Sequence, residues 1–161
     1  MIKVGITGHQ RLDDPQAWDW VESAVCSELD ALVSPVIAVS SLAIGADQLF
    51  ASLVVRRGGQ VHAIIPFVGY ERTFSPQDVD SYRGILSKAV SVEILHTPGT
   101  EEDAYLAAGK RIVELVDLLI AIWNGQPAKG KGGTGDIVAY AIEKSTRLIH
   151  INPVDRTVIR R

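Results

Sequence analysis

The chain has 161 residues, of which 47% are hydrophobic, and a formal net charge of −3 at pH 7. This length and apolar content predict a single globular domain over residues 1–161. The acidic balance argues against an extended nucleic-acid-binding face, because such faces carry an excess of lysine and arginine. A small anionic ligand needs only a local positive site and is compatible with this composition.

The sequence shows no sign of a disulfide, a leader peptide or a membrane span. Cys26 is the only cysteine, so no disulfide can form within the chain. The first residues lack the pattern of a signal peptide. No apolar run approaches the roughly 20 residues that a membrane helix needs. We therefore expect a cytoplasmic protein without a membrane partner.

Short apolar runs alternate with segments of helical spacing along the chain. Their apolar residues are largely consecutive, which is typical of strands covered on both faces of a parallel sheet. The six runs predicted as strands are, in chain order, Ile2–Thr7, Val36–Ser40, Val61–Phe67, Val92–Leu95, Leu118–Trp123 and Leu148–Asn152.

Capping signals predict a helix between successive strands. Serine, threonine or aspartate before a helix, or proline in its first turn, marks a helix start. Gly58 is a suitable residue to end the second helix. The five predicted starts are, in chain order, Asp14-Pro15, Gly45 or Ala46, Ser75-Pro76, Thr100 with Asp103, and the residue after Gly135.

This alternation predicts an α/β fold, a Rossmann-like doubly wound sheet of about six mostly parallel strands with helices on both faces. Right-handed crossovers bring the carboxyl ends of the strands to one edge, where ligands bind. Polar residues and glycines collect immediately after the strands, at 8–11, 40–45, 66–72, 96, 123–136 and 152.

The loop after the fifth strand, residues 123–136, contains five glycines and two lysines. Gly132 and Gly133 lack a Cβ, so their backbone N–H groups can approach a ligand closely. The next helix adds the positive end of its dipole. We predict a phosphate site formed by Gly132, Gly133, Thr134 and Gly135, with a mobile loop that binds nothing as the alternative.

The loops after the first two strands carry further candidate ligands. Arg11 would pair with phosphate, or it would face solvent in a polar turn. Asp47 would accept from ribose hydroxyls, or it would only stabilise the start of a helix. The predicted binding residues of these loops are Gly8, His9, Gln10, Arg11, Ser40, Ser41, Gly45 and Asp47.

Aromatic residues follow the third and fifth strands. Phe67, Tyr70 or Trp123 would stack on a base, or these rings would cover the sheet edge and close the core. Arg72 would reach phosphate, and Asn124 lies beside Trp123 in the predicted site.

Candidate catalytic and metal-binding residues are few. Asp136 and Glu71 are the carboxylates best placed to approach a ligand. The four histidines, at positions 9, 62, 96 and 150, are scattered. We therefore predict no metal site and no resident cofactor.

Several of these motifs together resemble the SLOG superfamily, which includes the DNA-processing protein A family and the Lonely Guy phosphoribohydrolases. The resemblance covers most of the chain and implies a Rossmann-like fold that binds nucleotides or their derivatives. The residues that carry it are Thr7-Gly8-His9, Val39 to Asp47, Ala51, Gly58-Gly59, Asp117, Leu118–Ile122 and Gly132 to Gly135.

The chain departs from both named families. Lonely Guy enzymes read PGGxGTxxE at the phosphate loop, where this chain has Asp136 at the threonine position and Ala139 at the catalytic glutamate position. Their paired Arg-Lys falls near Ala108-Gly109, so Lys110 and Arg111 are displaced. DNA-processing protein A commonly has arginine where this chain has Ile44.

We therefore expect a sensor or carrier domain that binds a nucleotide or a phosphate-bearing nucleotide derivative, with a homo-oligomer as an open alternative. One competing function is an N-glycosidic-bond hydrolase or transferase acting on nucleoside monophosphates, with Asp136 or Glu71 as the acidic group. A third is an assembly module with a vestigial site. Because Ala139 replaces the glutamate, we expect hydrolysis to be weak or absent.

Overall fold

The computed structural model describes residues 1–161 and contains one seven-stranded sheet in the order β4-β3-β2-β1-β5-β6-β7. Strands β1 to β6 pair in parallel, and β7 pairs antiparallel with β6. The strands are β1 Ile2–Gly8, β2 Val36–Ser40, β3 Gln60–Ile65, β4 Ser91–Ile94, β5 Leu118–Ile122, β6 Arg147–Asn152 and β7 Thr157–Arg160. The predicted fold class is confirmed, with one more strand than expected.

The unpredicted seventh strand follows a short turn after β6. Asn152 organises this turn, because its Oδ1 accepts hydrogen bonds from the backbone N–H groups of Val154 and Asp155 at 2.9 and 3.1 Å. The strand has only four residues, three of them exposed. It therefore lacks the apolar run that marks the six buried strands.

Five α-helices cross between the strands. Ser75 accepts a hydrogen bond from Asp78 N, and Thr100 and Asp103 form the predicted capping box. The first helix begins three residues after Asp14, whose carboxylate instead accepts from Gln16 N at 3.0 Å in the preceding turn. The helices are α1 Ala17–Asp30, α2 Ala46–Arg56, α3 Pro76–Leu86, α4 Glu101–Leu115 and α5 Thr134–Glu143, with a 3₁₀ turn at Tyr70–Thr73.

Apolar clusters fill both faces of the sheet. On one face, Phe50 of α2 and Val21 of α1 pack against β1 through Val4 and Ile6. On the other face, Ile112 of α4 and Ile137 of α5 pack against residues of β5. All five residues of β5 are buried, which agrees with a strand covered by helices on both sides.

The strand order reverses between β1 and β5, and the loops after β1 and β2 meet beside this point. Gly45 has φ +81°, and a Cβ there would lie 2.6 Å from His9 O. Ala46 N donates to the same carbonyl oxygen at 3.1 Å. A glycine at position 45 therefore allows the two loops to touch.

We predict that Gly45→Ala lowers the free energy of unfolding by about 2–4 kcal/mol, from backbone strain and overpacking together. Gly84→Ala is the matched control, because Gly84 lies in α3 and a Cβ there would meet nothing within 4 Å. That control should raise stability by about 0.5–1 kcal/mol, since alanine favours helix more than glycine does. Urea denaturation of both variants checks the pair, and equal effects would contradict the loop contact.

Candidate functional site

A cleft of about 850 Å³ lies along the carboxyl edge of the sheet, across the point where the strand order reverses. The loops after β1, β2, β3 and β5 line it, together with the first turns of α4 and α5. This is the place where doubly wound folds bind their ligands. The predicted binding residues that line it are Gly8, His9, Gln10, Arg11, Ser41, Asp47, Tyr70, Trp123, Asn124, Gly132, Gly133, Thr134 and Gly135.

His9 joins the loops after β1 and β5. Its backbone N–H donates to Ile122 O at 3.1 Å, and its Nε2 accepts from Asn124 N at 3.1 Å. Because Nε2 is an acceptor, the neutral ring carries its proton on Nδ1. Burial lowers the pKa of His9, and nearby Lys129 lowers it further, although the Asn124 bond and Asp13 oppose the shift. His9 therefore holds the cleft in shape as a neutral group.

The glycines of the β5–α5 loop serve its own packing. Gly132 N donates to Asp136 Oδ2 at 3.1 Å, and Gly133 N donates to Gly130 O at 3.2 Å. A Cβ on Gly132 would lie 2.7 Å from Leu106 N of α4. The predicted free donors at positions 132 and 133 are thus occupied within the loop, although both residues line the cleft.

The free donors of this loop belong to the next two residues, Thr134 and Gly135. The backbone N–H groups of Thr134 and Gly135 donate no backbone hydrogen bond, because the first turn of a helix has no intrahelical acceptor. Both residues line the cleft. The amino terminus of α5 therefore offers two amides and the positive end of a helix dipole to a ligand.

A salt bridge fastens the same loop to α4. Lys131 Nζ lies 2.7 Å from Asp103 Oδ1. The hydrogen bond from Lys131, with further hydrogen bonds from Thr100, lowers the pKa of Asp103 to about 2. Arg11 and Lys129 are then the two lining Lys or Arg residues without an ion-pair partner.

Two predicted binding residues, Ser40 at the end of β2 and Gly45 in the loop that follows, lie outside the cleft lining. Ser40 is fully buried, and its Oγ accepts from Leu42 N at 3.0 Å. Leu42 itself is buried with φ +58°, so Ser40 stabilises an unusual backbone conformation. Ser40 and Gly45 shape the loop, whereas Ser41 and Asp47 line the cleft.

The aromatic residues after β3 cover the sheet edge. Phe67 and Tyr70 pack edge to face with ring centroids 5.7 Å apart, and Tyr70 makes similar contacts with Phe74 and Tyr82. Phe67 does not line the cleft. The Phe67 ring is used in the aromatic cluster, whereas the two alternative base contacts, Tyr70 and Trp123, line the cleft.

Arg72 and the two candidate catalytic carboxylates also lie outside the cleft lining. The Arg72 guanidinium lies over Gly69. Glu71 belongs to the 3₁₀ turn. Burial raises the pKa of the Tyr82 hydroxyl, with a smaller contribution from the nearby Glu71 charge. Asp136 uses its carboxylate on Gly132 N. The structure thus brings neither acid to a position beside a ligand in the cleft.

Trp123 closes one wall of the cleft. Its Nε1 donates to Gln126 O at 2.7 Å, and its ring centroid lies 4.9 Å from that of His150. His150 Nε2 in turn lies 2.8 Å from Trp123 O. Trp123 is half-buried and lines the cleft. Its ring could therefore stack on a base, while Gln126 and His150 hold it in place.

The sequence did not indicate that α4 contributes to the site. Glu102 and Tyr105, from its first turns, line the cleft, as do Lys129 and Asp78. The α4 contribution follows from its packing against Gly132, which no local pattern reveals.

No group of three or more histidine, cysteine, aspartate or glutamate side chains is placed to hold a metal ion. None of the helices combines the length and hydropathy needed to span a bilayer.

The fold is similar to solved structures of DNA processing protein A. The structure from Streptococcus pneumoniae has a TM-score of 0.67 at 20% identity, covering 92% of this chain and 50% of that chain. A structure from Helicobacter pylori, which describes the single-stranded DNA binding mode of that protein, has a TM-score of 0.63 at 14% identity, covering 96% and 70%. This chain spans half of the length of the Streptococcus protein. No protein-family model and no curated protein matches the sequence.

These similarities confirm the Rossmann-like fold that the SLOG resemblance implies. They also contradict the expectation that an extended nucleic-acid partner is excluded. The Helicobacter pylori protein has a similar fold and binds single-stranded DNA. A net charge of −3 was therefore too weak a ground for that exclusion, because binding depends on the charges beside the site.

We predict that protonation of His9 destabilises the fold at mildly acidic pH. Its folded pKa lies below the ordinary 6.5, so the unfolded chain binds more protons in the window between the two values. The stabilisation is complete above about pH 6.5 and is lost as the pH falls through the folded pKa. The pH dependence of unfolding free energy should be shallower in His9→Gln.

His62→Gln is the matched control, because burial also lowers the pKa of His62, at a position outside the cleft lining. Only His9→Gln should also perturb the Asn124 amide in nuclear magnetic resonance spectra. An unchanged pH slope in His9→Gln would contradict the role of His9.

Proposed function

We propose that the chain binds a nucleotide or a phosphate-bearing nucleotide derivative in the cleft, as a sensor or carrier domain. The observation that carries this proposal is the pair of free amides at Thr134 and Gly135, which line the same cleft as Arg11 and Lys129. Helix amino termini with unsatisfied N–H groups favour phosphate. Arginine adds the option of two parallel hydrogen bonds to its oxygens.

Only one part of the cleft suits phosphate. Asp13 and Glu102 also line the cleft, so the cleft as a whole does not provide a uniformly positive field. Phosphate would therefore be held by directed hydrogen bonds from the α5 amides, with Arg11 and Lys129 supplying the compensating charge. This arrangement favours a small group of defined shape.

A second function, single-stranded DNA binding, is favoured by the similarity to the Helicobacter pylori protein. A DNA strand repeats the phosphate that the α5 amides would bind, and the cleft runs across several loops. Ile44 lines the cleft where DNA-processing protein A commonly has arginine. For this reason the small nucleotide is our first proposal and the DNA strand our second.

A thermal-shift panel distinguishes the two ligands. At about 100 times its dissociation constant, a ligand that binds only the folded state adds roughly 2.7 kcal/mol. At about 2–4 °C per kcal/mol, the melting temperature should rise by roughly 5–11 °C. The panel contains nucleoside mono-, di- and triphosphates, nucleotide sugars, cyclic nucleotides and oligodeoxythymidylates of increasing length. A shift that grows only with oligonucleotide length would favour DNA, and no shift at all would contradict both functions.

We predict that Arg11→Gln weakens nucleotide binding about tenfold or more, because a hydrogen bond to a charged group contributes about 1.5–3 kcal/mol. Arg83→Gln is the matched control, since Arg83 is an exposed arginine of α3 outside the cleft lining and without a salt bridge. Calorimetric titration measures both variants. Equal affinities for the two variants would remove Arg11 from the site.

We predict weak or no hydrolysis of nucleoside monophosphates. Cleavage of an N-glycosidic bond develops positive charge on the sugar, which a placed carboxylate would stabilise. Asp136 is hydrogen-bonded within its loop, and Glu71 lies outside the cleft lining. The assay is free-base release by the wild type, Asp136→Asn and Glu71→Gln. Robust turnover that either substitution abolishes would establish the enzyme in place of the carrier.

A further inference from the structure

Two nearly buried polar groups on the β2–β3 side of the cleft have unused hydrogen-bonding capacity. Asp47 is 9% exposed, and only its Oδ2 accepts a hydrogen bond, from Ala43 N at 3.3 Å. Tyr70 is 4% exposed, and its hydroxyl makes no hydrogen bond within the protein. A buried carboxylate and a buried phenol normally have hydrogen-bond partners. A bound ligand would supply the partners that these two groups lack.

Both free atoms contact solvent. Every fully buried side-chain nitrogen or oxygen in the protein has a hydrogen-bond partner. Asp47 Oδ1 and the Tyr70 hydroxyl lack one, so each contacts solvent. Both residues line the cleft, which is therefore where a ligand would reach these atoms.

No cation neutralises Asp47. It belongs to none of the salt bridges, and burial raises its pKa to about 7. Burial also raises the pKa of Tyr70, with a smaller contribution from the nearby Asp47 charge. The arrangement destabilises the free protein locally, and a ligand that hydrogen-bonds to these groups would relieve that cost.

The chemistry of this side of the cleft does not suit phosphate. Ser41, Thr73 and Asp78 also line the cleft from the loops after β2 and β3 and the start of α3, whereas all the lining arginines and lysines come from the loops after β1 and β5. The ionised form of Asp47, which is present above its pKa of about 7, repels phosphate. It accepts hydrogen bonds from hydroxyl and amino groups, and a phenol both donates and accepts. The matching ligand group is uncharged and carries hydrogen-bond donors.

We propose that Asp47 and Tyr70 form a subsite for the uncharged hydrogen-bonding part of the nucleotide, either its sugar hydroxyls or an amino group of its base. This proposal rests on the proposed function and fixes the direction of the ligand. The phosphate lies at the amino terminus of α5, and the donor group lies at Asp47. Asp47 and Tyr70 then select ligands by their uncharged part, while Arg11 and the α5 amides bind phosphate.

Calorimetric titration of Asp47→Asn and Tyr70→Phe tests the subsite. The probes are the nucleoside 5′-monophosphates, their 2′-deoxy counterparts, inosine 5′-monophosphate and inorganic phosphate. Each variant should bind its best ribonucleotide about tenfold more weakly than wild type, with unchanged binding of inorganic phosphate. Tyr82→Phe is the matched control, because Tyr82 belongs to the same aromatic cluster but does not line the cleft. It should bind like wild type.

The analogues identify the source of the donor group. If the sugar is bound, the wild type should lose affinity for the 2′-deoxy compounds. If the base amino group is bound, it should prefer adenosine over inosine monophosphate. Wild-type affinity for ribonucleotides in both variants would overturn the subsite while leaving the proposed function intact. Absence of any nucleotide binding by the wild type would overturn both.

Stability provides a readout that needs no ligand. Because Asp47 Oδ1 and the Tyr70 hydroxyl have no hydrogen-bond partner within the fold, Asp47→Asn and Tyr70→Phe should melt at or above the wild-type temperature. Asparagine keeps an oxygen for Ala43 N, and phenylalanine keeps the aromatic packing. A clear fall in melting temperature for both variants would show that the groups support the fold and would contradict the subsite.

Discussion

Three hydrogen bonds of His9 hold the carboxyl edge of the sheet together. Its N–H donates to Ile122 O at the end of β5, and its carbonyl oxygen accepts from Ala46 N at the start of α2. Its Nε2 accepts from Asn124 N. One residue thus joins the loops after β1, β2 and β5 beside the reversal of strand order. The cleft exists because these loops are fixed there, and a bare Gly45 lets the second loop approach.

Much of the fold follows from the sequence, because the buried strands are nearly continuous apolar runs and α3 and α4 begin at residues whose side chains cap them. The capping box at Thr100 and Asp103 forms as predicted. Strand β7 could not be read in the same way, since it is short and largely exposed. It pairs with β6 through a turn that Asn152 stabilises from its side chain.

The sequence predicts which edge of the sheet carries the site, but not which contacts each residue makes there. The sequence placed Arg11, Asp47 and Thr134 at this edge, and the structure brings all three to the cleft. It could not tell which way each loop residue faces. Ser40 faces inward to bond Leu42 N, and Phe67 packs on Tyr70. Gly132 has no Cβ, which leaves room for the backbone of α4. Each of these choices depends on a neighbour distant in the chain, which local patterns do not contain.

Charge is distributed unevenly within the cleft, and the whole-chain charge hides this. Arg11 and Lys129 come from the loops after β1 and β5, where the acidic Asp13 and Glu102 also line the cleft, whereas the side of β2 and β3 has Asp47 and Asp78 and no lining arginine or lysine. Such a separation suits a ligand that is anionic at one end and neutral at the other. The same feature explains why an acidic chain is compatible with a phosphate-bearing ligand.

We propose that phosphate binds at the amino terminus of α5. Amide nuclear magnetic resonance during titration with a nucleotide tests it most directly, because phosphate hydrogen-bonded to an N–H group displaces that amide signal. If phosphate binds there, the Thr134 and Gly135 signals should shift most and saturate with the binding curve. Saturable binding that leaves both signals in place would contradict it.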